Sequence, residues 1–244
     1  MKNCPFCHNS PFRKNKLGYY QCDGCGLVID EKMRLDTLQL DKIKDAYFED
    51  SFTVEKDKWA QFFDGLNTSR VLKTISSFQN GGKKLLEIGI GHGDFLNGAK
   101  KQGFDVTGCE TSKTIASYVQ KKYGVEVFNG YVEDFPKERE FDVIVLRHVL
   151  EHMPDPINSM KKIVSLLKDK GVLYIAVPNI GSFNASFKGW VAYEPYHLFY
   201  YSDKALASLT GLFGLNIRKK ETYEPFSGFF LTFLKTLRSA PTQT

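Results

Sequence analysis

Short apolar runs alternate with amphipathic segments along most of the chain after residue 80. Runs of this length between helix-period segments are typical of strands in a parallel sheet that helices cover on both faces. We therefore expect an α/β fold, doubly wound and Rossmann-like, with a seven-stranded and mostly parallel sheet. The predicted strands are residues 84–88, 104–110, 125–128, 141–146, 172–177, 215–217 and 229–234.

Helix boundaries follow from polar caps and glycines between these runs. Ser112 is expected to cap a helix that Gly124 ends, because serine accepts a hydrogen bond from a first-turn amide and glycine adopts the left-handed conformation. Asp155, followed by Pro156, is expected to cap the next long helix. Ser202 is expected to cap the last one.

The region before residue 81 has a different pattern and divides in two. Residues 1–30 are rich in cysteine and glycine, whereas residues 31–80 carry helix-period leucines between charges. We interpret 31–80 as a helical connector. The expected organisation is thus a small module at 1–30, the connector, the main domain at 81–236 and a tail at 237–244.

Composition indicates an ordinary globular protein. The 244 residues are 42% hydrophobic and 25% charged, and the formal charge of +5 is spread as lysine pairs along predicted helices. Such a distribution is typical of solvated helix faces and does not favour a nucleic-acid partner. No apolar run approaches the ~20 residues that span a bilayer, and the amino terminus lacks a hydrophobic signal core. We therefore expect a cytoplasmic protein.

Four of the five cysteines form two Cys-x-x-Cys pairs, at Cys4 and Cys7 and at Cys22 and Cys25. In a reducing compartment this spacing indicates metal rather than disulfides. Four thiolates complete a tetrahedral zinc site and leave no position open, so we expect a structural Zn²⁺ in a zinc ribbon rather than a catalytic ion. The neighbouring His8 is expected to face solvent.

A glycine-rich turn after the first strand is the main candidate for binding a cofactor. Gly89, Gly91 and Gly93 permit positive φ and let a ligand lie against bare backbone. The third glycine of the dinucleotide fingerprint would fall on Asp94, which disfavours a dinucleotide. Glu87 precedes the turn, and Glu110 ends the second strand, where it can accept hydrogen bonds from a ribose.

These residues resemble the class I S-adenosylmethionine-dependent methyltransferases. The segment 141–156, with its His-x-x-Glu-His-Met-Pro-Asp-Pro sequence, looks like the fourth-strand motif of the ubiquinone-biosynthesis-like group. The resemblance implies S-adenosylmethionine (SAM) as cofactor, an antiparallel seventh strand, and an adenine contact at 129–136, although Tyr131 replaces the aspartate common in relatives. It also implies that the connector at 31–80 folds over the bound cofactor as a lid. The implied cofactor-binding residues are Glu87, Gly89, Gly91, Gly93, Glu110, Tyr131, Val132, Glu133, Leu146 and Arg147.

Methyl transfer to a hydroxyl requires a base. His152 and His197 are the first candidates, with His148 and Glu151 as second choices, because imidazole titrates near working pH. The His-x-x-Glu-His string also matches an inverted zinc-protease motif, but Pro154 leaves little room for the required helix. The resemblance includes relatives that bind a divalent ion here. Arg147 disfavours one, and we predict no catalytic metal.

Aromatic residues are dense between 179 and 201, which we interpret as the substrate segment, with about half of its rings expected in the core. A zinc ribbon before this domain resembles bacterial sugar methyltransferases. It therefore implies a small-molecule acceptor such as a sugar nucleotide or surface-polysaccharide precursor. Two alternatives stay open: an RNA methyltransferase that binds its substrate through the ribbon, and a non-enzymatic scaffold that binds the cofactor.

Overall fold

A computed structural model describes the following parts of the chain: residues 3–8, 10–15, 18–30, 58–137, 140–187, 189–190, 192–194 and 196–223, without the side chains of 58–63. The predicted seventh strand, the tail and residues 31–57 of the connector lie outside these ranges. The chain divides into two compact units. We call Met1–Leu40, Glu151–Pro154 and Val177–Thr244 the ribbon unit, and Asp41–Leu150 with Asp155–Ala176 the sheet unit.

Nine strands and five α-helices occur in the described part of the chain. The strands are β1 (Phe12–Lys14), β2 (Tyr20–Cys22), β3 (Val28–Ile29), β4 (Lys84–Ile88), β5 (Asp105–Glu110), β6 (Glu126–Asn129), β7 (Phe141–Arg147), β8 (Leu167–Ala176) and β9 (Phe199–Tyr200). The helices are α1 (Lys58–Ser76), α2 (Asp94–Lys101), α3 (Lys113–Tyr123), α4 (Pro156–Leu166) and α5 (Asp203–Gly211).

The sheet unit is a doubly wound, Rossmann-like α/β fold, as the alternating pattern predicts. Its five strands are all parallel in the order β6-β5-β4-β7-β8. The chain runs outward from β4 in one direction and from β7 in the other, so the strand order reverses between these two strands. Open α/β sheets bind ligands at such a reversal. The glycine turn after β4 lies at this point.

Apolar side chains from α1, α2, α3 and the central strands form one core in the sheet unit. Leu72, Leu85, Leu96, Val119 and Val143 are fully buried there. Burial of such side chains contributes roughly 1.5–3 kcal/mol each. The core thus fixes the carboxyl ends of β4, β5 and β7, where the predicted cofactor residues lie.

The predicted helix caps are formed. The Ser112 hydroxyl accepts a hydrogen bond from the Ile115 amide, and Gly124 ends α3 with a φ of 58°. Asp155 accepts from the Asn158 amide at the start of α4. At α5, Ser202 accepts from the Ala205 amide. Local sequence therefore determines these boundaries.

Two strand predictions need correction. The fifth strand of the sheet, β8, begins at Leu167 rather than Val172, because Leu167 pairs with Phe141 and a register shift follows before Val172 pairs with Val143. The predicted sixth strand at 215–217 is not a strand. A strand needs a neighbour for its amides and carbonyls, and none pairs with this segment in the described part of the chain. Ile217 is 52% exposed.

The ribbon unit contains an antiparallel four-stranded sheet in the order β1-β2-β3-β9. Its fourth strand comes from far along the chain, since Val28 pairs with Tyr200 and Ile29 with Phe199. Val28, Ala185, Trp190 and Tyr200 form a small core beneath it. The first 30 residues are therefore part of a larger structure that includes residues 177–223.

None of the helices in the described ranges combines the length and apolarity needed to cross a membrane.

Candidate functional site

The glycine turn after β4 presents bare backbone. Gly89, Gly91 and Gly93 have φ values of 69°, 49° and 76°, in the left-handed region that glycine favours. A Cβ on Gly93 would lie 2.7 Å from a Val119 methyl group, whereas a Cβ on Gly91 would meet nothing within 4 Å. Gly93 thus serves packing, and Gly91 borders open space that a ligand can occupy.

Glu110, at the end of β5, is held by backbone amides. Its carboxylate accepts hydrogen bonds from the Ile90 amide at 3.2 Å and the Ser112 amide at 3.0 Å. Burial nevertheless raises the pKa of Glu110, against the effect of these hydrogen bonds. The carboxylate is therefore fixed beside the glycine turn, in the place where the sequence predicts an acceptor for a ribose diol.

Glu87, near the end of β4, is the most perturbed acid of this site. Its side chain is 2% exposed, and among the described residues Oε2 has no hydrogen-bond partner. Burial raises the pKa of Glu87 to about 8, although the Arg147 charge opposes the rise. A buried carboxyl with an unsatisfied oxygen is costly. A cationic ligand would satisfy that oxygen and favour its ionised form.

Arg147 ends β7, and its guanidinium lies 4.8 Å from the centre of the Phe95 ring. This cation–π contact holds the guanidinium at the start of α2. The preceding Leu146 is fully buried in the core, so only its backbone is available to a ligand. Phe95, a buried residue of α2, therefore positions Arg147, a contact that the sequence alone does not indicate.

The predicted adenine segment forms a 3₁₀ turn, Val132–Asp134, after β6. The Val132 side chain is buried, and Tyr131 is half-buried at the start of the turn. Glu133 accepts a hydrogen bond from the Ser159 hydroxyl of α4. Ser159 thus anchors this turn, a role for which the sequence carries no signal.

Together these features fit SAM. The cofactor carries a cationic sulfonium, an ammonium group and a ribose, and the turn offers a bare glycine between the buried Glu87 of β4 and the half-buried Glu110 of β5. All of these residues belong to the sheet unit. Glu87, Gly91 and Glu110 would hold the group.

A second cluster lies in the ribbon unit and joins Glu151, His152 and His197. One ligand atom from each lies within 4.8 Å of the others, and the two imidazole rings are 4.7 Å apart. Glu151 is fully buried and His197 is 6% exposed. Two candidate bases that are 45 positions apart in sequence are therefore neighbours.

Backbone contacts hold the two histidines in one tautomer. His152 Nδ1 lies 3.2 Å from the Tyr196 carbonyl oxygen, and His197 Nδ1 lies 2.8 Å from that of Ala192. Because a carbonyl oxygen only accepts, each Nδ1 carries the proton. Nε2 is then the basic nitrogen of each ring. A proton taken up by either ring would therefore be held at Nε2.

His148 is not a member of this cluster. It belongs to the sheet unit, is exposed and has a φ of 56°, and its amide donates to the Ala176 carbonyl. Its backbone amide thus links the end of β7 to the end of β8. Its predicted part in catalysis stays a prediction.

The cluster also bears on the predicted absence of a catalytic metal, which stays a prediction. Two imidazoles and one carboxylate are a common ligand set for zinc and other transition metals. The same three groups suit a base supported by a carboxylate. The donor set fits either use.

The four cysteines of the ribbon meet in one place. The Sγ atoms of Cys4 and Cys25, and those of Cys7 and Cys22, are 3.6 Å apart. Tetrahedral zinc with Zn–S bonds of about 2.3 Å places sulfurs roughly 3.8 Å apart. Burial raises the pKa of Cys4 and of Cys25, so without an ion these thiols stay protonated. The four side chains fit Zn²⁺, and His8 is exposed as predicted.

A cavity of about 630 Å³ in the ribbon unit adjoins the second cysteine pair. Asp23, Gly24, Asn179, Asp203 and Lys204 line it, and Lys220 forms an ion pair with Asp203 at 2.9 Å. None of the predicted base or cofactor residues lines this cavity. Its polar walls and its paired charges indicate a solvated recess.

The predicted substrate segment contributes mostly to packing. Trp190, Tyr196, Phe199 and Tyr200 are buried, and Trp190 packs edge-on to Tyr193. Phe183, by contrast, is 73% exposed. More than half of the rings whose burial is described belong to the core, so the aromatic density mainly reflects the ribbon unit's interior.

The described geometry agrees with comparisons to known proteins. A family model described as a methyltransferase domain matches residues 60–220. A ubiquinone biosynthesis O-methyltransferase of Histophilus somni (strain 2336) is 33% identical over 138 residues, which are 51% of this chain and 56% of that protein. The chain thus spans about half the length of such curated relatives.

Solved structures support the fold. The plantazolicin methyltransferase BpumL, in complex with a monoazolic desmethylPZN analog and SAH, has a TM-score of 0.59 at 19% identity, covering 86% of this chain and 91% of that one. A SAM-dependent methyltransferase from Archaeoglobus fulgidus has a TM-score of 0.52 at 18% identity, covering 70% and 85%. At these identities the likeness is one of fold.

Proposed function

The chain belongs to the methyltransferase-domain family, and we propose that it transfers a methyl group from SAM to a hydroxyl oxygen of a small-molecule acceptor. One observation carries this proposal: the bare glycine turn at the strand reversal lies between two carboxyl groups, the buried Glu87 and the half-buried Glu110. A cation and a ribose diol are the ligand groups that such a turn accommodates.

When bound, SAM supplies an electrophilic methyl group on a cationic sulfur. Glu87 would hold the ammonium group of the cofactor with its ionised carboxylate. Glu110 would accept hydrogen bonds from the ribose hydroxyls, and its orientation is already set by the Ile90 and Ser112 amides. Preorganised contacts of this kind lower the entropic cost of aligning the reactants.

The acceptor hydroxyl must lose a proton as the new bond forms. His152 or His197 takes it at Nε2, because the Tyr196 and Ala192 carbonyls fix the other nitrogen as the protonated one. The transferred methyl group would come from the bound cofactor, whose sulfur would keep the electron pair of the broken bond. Glu151 stabilises the imidazolium that results.

For the acceptor we propose a polyhydroxylated small molecule such as a sugar nucleotide or surface-polysaccharide precursor. Support comes from the basic histidine nitrogens, which suit a hydroxyl substrate, and from the relative named an O-methyltransferase. We also propose that Cys4, Cys7, Cys22 and Cys25 hold a structural zinc ion.

The test is a methyl-transfer assay with radiolabelled SAM and panels of sugar nucleotides, catechols and total RNA. His152→Ala and His197→Ala should each lower kcat by roughly 100-fold or more, while the SAM dissociation constant changes less than twofold. His8→Ala is the matched control, since His8 is exposed and outside the cluster. Full turnover in both cluster variants contradicts the role of the histidines, and transfer to RNA alone contradicts the acceptor class.

A further inference from the structure

We propose that the cysteine ribbon is the support on which the Glu151–His152–His197 cluster is assembled, so that zinc binding at the four cysteines controls the geometry of the two histidines. The inference concerns contacts within the ribbon unit alone. It assigns a purpose to a module that methyl transfer does not itself need. Its functional consequence rests on the proposed function, but its structural claim does not.

The first link is a continuous path of backbone hydrogen bonds. Val28 and Ile29 pair with Tyr200 and Phe199, which makes β9 an edge strand of the ribbon sheet. The Asp30 amide then donates to the Leu198 carbonyl at 3.0 Å. This pairing fixes the chain immediately after His197.

Leu198 carries the path onward to the cluster. Its amide donates to the Glu151 carbonyl at 2.9 Å, so one residue bonds the ribbon on one side and the cluster on the other. Glu151 and His152 are adjacent in sequence, and His197 precedes Leu198. Glu151 therefore bonds to Leu198, which itself bonds to Asp30 at the end of β3, and His152 and His197 are the sequence neighbours of Glu151 and Leu198.

Aromatic stacking reinforces this path from the first cysteine pair. Phe6, between Cys4 and Cys7, stacks on Tyr201 at 6.0 Å and on Phe199 at 6.5 Å. Tyr19 stacks on Tyr193 at 5.6 Å. Stacked aromatic pairs of this kind stabilise a contact beyond the area that they bury. The residues between the metal ligands thus pack directly on β9.

The second cysteine pair is connected as well. The Cys25 carbonyl accepts a hydrogen bond of 2.5 Å from the Ser202 hydroxyl, two residues after β9. The Cys22 amide donates to the Leu27 carbonyl, which closes the turn into β3. Strands of two and three residues cannot hold this arrangement without help, and small ribbons fold with their metal. Zinc loss should therefore release β3, then β9, and with them the two histidines.

Histidine resonances in a long-range ¹H–¹⁵N spectrum of the full chain provide the test. The five histidines are convenient, because His92 and His148 belong to the sheet unit and report on its integrity. Chelation of zinc should shift or broaden the His152 and His197 signals and leave His92 and His148 in place. Unchanged His152 and His197 signals in the zinc-free protein would overturn the proposal.

If zinc removal perturbs all five histidine signals, a variant that retains zinc provides the test. Phe6→Ala keeps the four cysteines but removes the stacking on Phe199 and Tyr201. This variant should bind one zinc per chain, and its His152 and His197 resonances should still shift. If both resonances keep their wild-type frequencies, the ribbon does not support the cluster. Cys109→Ser is the matched thiol control, because Cys109 lies on β5 outside the ribbon. It should retain zinc and both signals.

Activity separates this inference from the proposed function. The zinc-free protein and Phe6→Ala should bind SAM within about twofold of wild type and lose methyl transfer. If the zinc-loaded wild type binds no SAM, the proposed function fails while the histidine spectra still test the ribbon. If transfer persists in a variant whose two histidine signals are lost, the cluster is not the base.

Discussion

Glu87→Gln gives the sharpest electrostatic prediction. Burial raises the pKa of Glu87 to about 8, so in the cofactor-free protein only about 1% of this carboxyl is ionised at pH 6 and about 10% at pH 7. If SAM binds the ionised form, binding must release the proton. Raising the pH from 6 to 7 should then tighten SAM binding roughly tenfold, which is about 1.4 kcal/mol. In this range the ligand's own ammonium group stays protonated.

Titration calorimetry in two buffers of different ionisation enthalpy measures both the affinity and the proton release. Wild type should release about one proton at pH 6.5. Glu87→Gln should release none from this site, lose the pH dependence and bind SAM weaker by about 1.5–3 kcal/mol at pH 7. Glu140→Gln, an exposed acid-to-amide change in the same unit, should behave as wild type. An identical pH slope in Glu87→Gln would refute the reasoning.

The same carboxyl links stability to pH. Its folded pKa of about 8 lies above the ordinary value of 4.5, so between these values the folded protein holds a proton that the unfolded chain has lost. The contribution is fully present below pH 4.5 and is lost as pH rises through 8. Urea unfolding at pH 6 and pH 8 should show cofactor-free Glu87→Gln gaining stability relative to wild type at the higher pH. If the difference in unfolding free energy between wild type and Glu87→Gln is the same at both pH values, the raised pKa of Glu87 is contradicted.

Substitutions at three further positions test the glycine turn and a helix cap. Gly91→Ala should weaken SAM binding and lower the free energy of unfolding by only about 1 kcal/mol, since its Cβ enters open space, whereas Gly93→Ala should lose about 1–3 kcal/mol more because its Cβ meets Val119. Isothermal titration and urea unfolding of both variants distinguish ligand from packing effects. Wild-type SAM affinity in Gly91→Ala would argue against the site. Ser112→Ala should cost about 1 kcal/mol in urea unfolding by removing the cap of α3, and Ser112→Asp should not.

The sheet unit is largely predictable because local chemistry decides it. Strand β4 has the predicted bounds, and the caps at Ser112, Asp155 and Ser202 are hydrogen-bonded as expected. Each depends on residues within a few positions. The cofactor candidates follow for the same reason, since a strand end and the turn after it are contiguous in sequence.

Long-range pairing is what the sequence does not reveal. Strands β3 and β9 have two residues each, too short for any period, and lie about 170 positions apart. The meeting of His152 and His197 depends on the Leu198 contacts, which no local pattern encodes. The prediction of a strand at 215–217 was wrong because two alternating apolar residues, Leu215 and Ile217, do not by themselves provide a pairing neighbour.

The most direct test of methyl-donor binding is a calorimetric titration of zinc-loaded protein with SAM and with S-adenosylhomocysteine at pH 7. We predict one site per chain for both ligands, with affinity in the micromolar range, on the order of −8 kcal/mol, and a clear loss in Glu87→Gln. Absence of binding by either ligand to the folded, zinc-loaded chain would contradict the proposal that this turn holds a methyl donor.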